Sequence, residues 1–214
     1  YAFSDGLFKL LNPKSKRIAV LKGNGELDDK YIADFFKTLR ESYFIAPFPL
    51  DSVNGNPTKV MQALNSFDLI VAAKPTQSFT DVEKFALDQY TMNGGKSIYL
   101  IDEVAMDTDS LYANDGIALA TARMLNLNDF LFKYGVRINP VLVEDLYAAP
   151  LVVASGESSN SQYTQLPWFF YPLITTAENH PINTNIDNPI FLRYANQIDI
   201  LENSPSIGLV YSQA

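Results

Sequence analysis

The chain has 214 residues, 47% hydrophobic and 19% charged, which fits one large or two small globular domains and excludes wholesale disorder. Its 24 acidic and 16 basic side chains give a net charge of −8, which argues against a nucleic-acid partner, because that affinity comes mainly from Lys and Arg neutralising phosphates. With no cysteine and one histidine, disulfides, thiolate zinc sites and cysteine nucleophiles are excluded, and little is left from which to build a transition-metal site.

No stretch reaches the roughly 18 uninterrupted apolar residues of a membrane span. The chain opens on Tyr1, with no initiator Met and no visible signal peptide, and so reads as a processed or excised piece.

Residues 1–16 read as a lead-in that carries the turn signal Asn12-Pro13. The apolar run 17–22 then stops at Gly23-Asn24-Gly25, the signature of a buried strand. Over 28–40, Tyr31, Ile32, Phe35, Phe36 and Leu39 recur at three- and four-residue spacings and predict an amphipathic helix. Residues 44–50 predict a strand that Pro47 and Pro49 push to a sheet edge. A short helix at 57–64, a strand at 69–73, a helix at 80–92 and a strand at 97–101 follow. The third helix stops at Asn93-Gly94-Gly95, a good carboxyl-terminal signal. Alternating strands and helices predict a parallel sheet with helices on both faces over 17–102.

The second half is more irregular. A short helix is expected at 127–134, closed by Gly135, with extended, Pro-punctuated segments at 136–138, 144–154, 163–174 and 191–200 and a last strand at 207–211. Residues 155–161 read as a flexible loop. The whole is read as a single α/β domain over 17–214, with 17–102 as its core and 103–214 as an irregular, strand-rich extension of it.

Gly23-Asn24-Gly25-Glu26 sits where a phosphate loop would sit. A dinucleotide fingerprint needs a third glycine where Asp28 stands, and Glu26, Asp28 and Asp29 would repel a pyrophosphate. The loop therefore reads as a tight strand-to-helix turn, or as part of a ligand cleft at the carboxyl ends of the strands. Asp102, Glu103, Asp107 and Asp109 follow the fourth strand. They match no calcium-loop spacing and read as a solvated acidic loop without a metal. His180 precedes Pro181 and has no nucleophile elbow to serve, so its ring is expected to cap a backbone group in a turn. The candidate cleft residues are Gly23, Asn24, Gly25, Glu26, Lys74, Thr76, Asp102, Glu103 and His180; no catalytic residue, metal ligand or cofactor is assigned. Trp168-Phe169-Phe170-Tyr171 is the densest aromatic run. Read as a strand, it sends 168 and 170 to one face and 169 and 171 to the other, so that one pair faces a partner.

Several stretches together resemble the GldG family, auxiliary components of a gliding-motility-associated ABC transporter in Bacteroidetes. They are Gly23 to Asp29, Ala72 to Thr76, Asp88 to Lys96, Leu100 to Glu103, Leu127 to Asn139 (with Lys-Tyr-Gly-Val-Arg-Ile-Asn) and Asn179-His180-Pro181-Ile182. The resemblance implies a membrane-anchored protein whose soluble part lies on the periplasmic side of the inner membrane. It implies as partners a permease and an ATPase, GldF and GldA, and further motility or secretion proteins. It implies a class I glutamine-amidotransferase-like, flavodoxin-like core, similar also to a domain of intraflagellar transport proteins. Those amidotransferases use a Cys nucleophile that this chain lacks, so the implied role is non-catalytic binding. The other readings are a hydrolase or transferase with a strand-end site, using Asp102, Glu103 or His180, and a carbohydrate-binding module using Trp168 and its neighbours.

Overall fold

The computed structural model describes residues 2–11, 13–114, 116–155, 162–176, 180–184, 186–202, 204 and 210–211. It divides into two compact units: residues 1–101 with 124–130, and residues 102–123 with 131–214.

In the first unit, helix α1 (Ala2–Leu11) occupies much of the lead-in. Strands β1 (Arg17–Lys22), β2 (Phe44–Pro49), β3 (Leu69–Ala73) and β4 (Lys96–Leu100) form one parallel sheet in the order β2-β1-β3-β4. Ile18 lies beside Ile45 on one side and Leu69 on the other, and Leu69 lies beside Lys96. The apolar runs supply the middle of the sheet: Ile18 to Leu21 and Ile70 to Ala73 are all buried. Burying each Ile, Val or Leu among them is worth about 1.5–3 kcal/mol. Pro47 and Pro49 sit on the edge strand β2, where a missing N–H costs no ladder bond on the open side.

The connections are α2 (Ala33–Arg40), α3 (Pro57–Leu64) and α4 (Asp81–Met92). Strand order reverses between β1 and β3. With right-handed crossovers this puts α2 on one face and α3 and α4, which touch each other, on the other. The long helix expected over 28–40 is shorter. Asp29–Tyr31 is a 3-10 turn, and Ile32 leaves the helical region at φ −119°, ψ 15°. Of the apolar positions that suggested it, only Phe36 is buried, and Tyr31 is 68% exposed.

The second unit is built of antiparallel pairs rather than a continued parallel sheet. They are β5 (Val104–Ala105) with β6 (Thr121–Ala122), β7 (Val136–Leu142) with β12 (Asn196–Ile200), and β8 (Leu151–Ser155) with β9 (Gln162–Leu166). Strand β10 (Leu173–Thr176) pairs with β11 (Ile190–Phe191) and β13 (Val210–Tyr211). Helix α5 (Thr108–Ala113) lies in the stretch read as irregular. Helix α6 (Asn128–Lys133), which matches the expected short helix, is divided between the units after Phe130. Of the loop expected at 155–161, residues 156–161 lie outside the described residues, and Ser155 ends β8; of the last strand expected at 207–211, residues 207–209 lie outside them.

The aromatic core of this unit gathers Leu151, Tyr171 and Tyr194, with Trp168 and Phe170 against them. Tyr171 and Tyr194 meet edge to face at 5.3 Å. Alternation along 168–171 fails, because the segment is a turn and not a strand: Tyr171 N donates to Trp168 O at 3.0 Å. Trp168, Phe170 and Tyr171 all turn toward the core, and Phe169 alone of the four is exposed, at 45%.

Candidate functional site

The carboxyl ends of β1 and β3 adjoin where the strand order reverses, the place where open α/β sheets form a crevice. Here the two loops leaving those strands are bonded to each other. Thr76 N and Gln77 N donate to Asn24 O at 3.0 and 2.9 Å, Thr76 Oγ1 donates to Gly25 O at 2.8 Å, and Leu27 N donates to Ala73 O at 2.9 Å. Gly23, Asn24, Gly25, Glu26, Lys74 and Thr76 are thus brought together in one hydrogen-bonded layer over the strand ends.

Gly25 is required by this packing. Its φ is +68°, and a Cβ there would stand 2.3 Å from Thr76 Oγ1. Lys74 also adopts a left-handed φ of 51°, while its N donates to Leu100 O at 2.8 Å. A non-glycine residue held in this region marks a loop fixed by its surroundings.

Beneath the layer, Asn24 and Glu83 are buried, 3% and 2% exposed. Asn24 Nδ2 donates to Glu83 Oε2 at 3.2 Å. The same oxygen accepts from Thr80 N at 2.7 Å, and Glu83 N donates to Thr80 Oγ1 at 3.2 Å, closing a capping box at the start of α4. Glu26 folds back, its Oε2 accepting from Asn24 N at 2.9 Å. Asn24 Oδ1 and Glu26 Oε1 remain buried without a hydrogen bond. The interior is therefore rich in acceptors, which disfavours phosphate and favours hydrogen-bond donors. Glu83 was missed in the sequence, although Thr80-Asp81-Val82-Glu83 carries the capping-box spacing that points to it.

Asp102, Glu103 and His180 belong to the second unit. Glu103 is buried; its N donates to Asn196 Oδ1 at 2.8 Å and its O accepts from Arg123 N at 2.7 Å. Burial pushes the Glu103 carboxyl above the usual carboxylate range, and its Oε1 has no hydrogen-bond partner. Asp102 is half-buried beside it. His180 caps the 3-10 turn Pro181–Asn183, with Nδ1 accepting from Ile182 N at 3.2 Å. No hydrogen bond joins His180 to Glu103. Asp107 caps α5 by accepting from Ser110 N at 2.8 Å. Among the described residues, no group of three or more His, Cys, Asp or Glu side chains is placed to hold a metal ion.

Phe169 has exposed apolar company. Asp145 N donates to Phe169 O at 3.0 Å, which sets the 145–147 loop against it. Asp145 Oδ1 accepts from Tyr147 N at 2.8 Å, and this turn thrusts Leu146 out to 90% exposure, with Tyr147 at 44%.

No helix among the described residues is long and apolar enough to cross a membrane. No curated protein matches the chain. Among solved structures it is similar to the mmIFT52 N-terminal domain, with a TM-score of 0.57 and 15% identity, over 91% of this chain and 72% of that one. At that identity the likeness shows a shared fold. The profile of a family described as ABC-type uncharacterized transport system matches residues 15–208, and the chain belongs to that family.

Proposed function

We propose that the chain is the non-catalytic, extracytoplasmic part of a membrane-anchored auxiliary component of an ABC transport system, and that it works by binding. The observation that carries this reading is the family match over residues 15–208. Within that family its motifs resemble GldG, which supports a role in gliding motility in Bacteroidetes. The same resemblance supports a place on the periplasmic side of the inner membrane and GldF and GldA as permease and ATPase partners. The strand order β2-β1-β3-β4 supports a flavodoxin-like, amidotransferase-like core. Glutaminase chemistry is set aside because the chain contains no cysteine.

Three features favour binding over catalysis. The switch-point loops are bonded to each other, and His180 Nδ1, the atom a general base would use or orient, already accepts from Ile182 N. Phe169, Leu146 and Tyr147 form an exposed apolar surface suited to a protein partner.

The placement is tested in the source organism by adding protease to intact cells and to cells with a permeabilised outer membrane. Cleavage only after permeabilisation, together with lost gliding when the gene is deleted, supports the reading. Protection until the inner membrane is lysed contradicts it. Glutaminase, esterase or phosphatase turnover that disappears in His180→Ala would overturn the non-catalytic assignment.

A further inference from the structure

At the amino ends of the strands, the end of the sheet opposite the switch point, the first unit holds a cavity of about 820 Å³. Small-molecule sites are commonly roughly 300–1,000 Å³ and mostly apolar. Ile18 and Leu69, register neighbours on β1 and β3, supply its aliphatic floor, and the rings of Tyr43, Phe67 and Tyr90 its walls. The Tyr90 wall is fixed from two sides. Its hydroxyl donates to Phe67 O at 3.1 Å, and Gly95 lies so close that a Cβ there would stand 2.3 Å from the ring.

The charges at this cavity decide what it can hold. Asp68 is fully engaged: Oδ1 takes Lys16 Nζ at 2.8 Å and Oδ2 takes Arg17 N at 2.9 Å. Lys96, also at the cavity, attracts the same carboxylate from beyond hydrogen-bonding distance. At the carboxyl ends of α2 and α4, which would otherwise favour a cation, four carbonyls are already occupied. Leu39 O accepts from Ser42 N and Tyr43 N, Arg40 O from Lys14 Nζ, Tyr90 O from Gly95 N and Thr91 O from Gly94 N. Asp68 is thus shared between two lysines, and Lys16, Asp68 and Lys96 together leave one net positive charge beside an aromatic cavity.

We propose that this cavity binds a small amphipathic anion, its apolar body against Tyr43, Phe67 and Tyr90 and its acidic group on Lys96. The site lies apart from the switch-point loops, and it is tested by binding alone, so its failure leaves the transport reading standing.

The test uses the 214-residue chain and 1-anilinonaphthalene-8-sulfonate, an aromatic body with one sulfonate, followed by fluorescence titration and by amide shift mapping. One saturable site is expected, with shifts at Phe67 to Leu69 and Asn93 to Lys96. The exposed substitution Lys96→Glu should weaken it at least tenfold. Asn93→Trp, which fills the rim without touching the charge, should weaken it similarly. The uncharged counterpart N-phenyl-1-naphthylamine should bind at least tenfold more weakly. Several weak sites insensitive to both substitutions, shifts mapping elsewhere, or equal binding of the uncharged probe would each overturn the proposal.

Discussion

The Asn24 carboxamide donates through Nδ2 to Glu83 Oε2 at 3.2 Å, joining the loop after β1 to the first turn of α4 with both side chains buried. Glu83 is thereby shared between a helix cap and the switch-point loop. Asn24→Asp would set a second buried carboxylate against it, with no donor between them. We expect a loss of about 3–4 kcal/mol in urea unfolding at pH 7. Asn24→Ala, which removes one hydrogen bond, should cost about 1–2 kcal/mol. The Asp variant should recover part of its deficit toward pH 4, as one carboxyl of the pair takes a proton. An Asp variant as stable as the parent at pH 7 would show that this contact does not hold the loop.

Gly25 and Thr76 make a coupled pair. Gly25→Ala meets both a φ of +68° and a Cβ 2.3 Å from Thr76 Oγ1. It should cost about 2–3 kcal/mol. In a Thr76→Ala background the 2.3 Å collision is relieved, leaving the backbone strain of about 1 kcal/mol and a 3.1 Å contact with the flexible Gln77 side chain. The double-mutant cycle should therefore show coupling of about 1 kcal/mol or more. Strict additivity would mean that the two loops separate without cost.

Glu103 gives a pH signature in the second unit. Its folded carboxyl titrates above the ordinary 4.5 because burial disfavours the charge. The folded state then binds the proton more tightly than the unfolded state, so stability falls as pH rises from the unfolded value through the folded one. Glu103→Gln removes this loss. Its melting temperature should exceed the parent's at pH 7.5, and the gap should close below about pH 4.5. Fluorescence of Trp168, the single tryptophan, packed in this unit's core, follows the transition. A variant less stable than the parent at pH 7.5 would mean that the charged carboxylate has a favourable partner.

Lys84 and Asp129 produce the opposite slope. Lys84 Nζ lies 2.9 Å from Asp129 Oδ2 and 3.1 Å from Asp81 Oδ1, with its own side chain 9% exposed. Burial works to lower the Lys84 pKa, but hydrogen bonds to Asp129 and Asp81 outweigh it and raise it. The hydrogen bond from Lys84 lowers the pKa of Asp129 below the ordinary 3.8. The stability this contributes is present above the unfolded value and is lost as pH falls through the folded one. Asp129→Asn should cost about 1 kcal/mol at pH 7, because Asp129 is largely exposed, and the cost should shrink as pH falls below 3.8. A cost that does not shrink with acid would assign the effect to packing rather than charge.

The parallel core was legible because 17–22, 69–73 and 97–101 are mostly apolar runs bounded by turn residues, and two prolines mark β2 as an edge; the fourth strand itself runs one residue earlier, Lys96–Leu100. The partnership of Asn24 with Glu83 was not, since 59 residues separate them and only the crossover of β3 and α4 brings them together. The His180 turn could be read from the following proline. The aromatic run could not be read as alternating, because Pro167 and Pro172 bracket a turn, and turn geometry, not strand period, decides which ring faces out. The amino-end cavity left no trace in the sequence: Lys16, Asp68 and Lys96 meet there through strand register alone.

The proposed role is that of a bound component of an ABC transport system. The most direct measurement is mild detergent solubilisation of membranes from the source organism, purification through a tag on the full-length protein, and identification of what comes with it. A permease and an ATPase are expected in near-equal amounts, with recovery of both reduced at least fivefold by the paired exposed substitutions Leu146→Ala and Phe169→Ala in a protein that still folds. Purification without either subunit would contradict it.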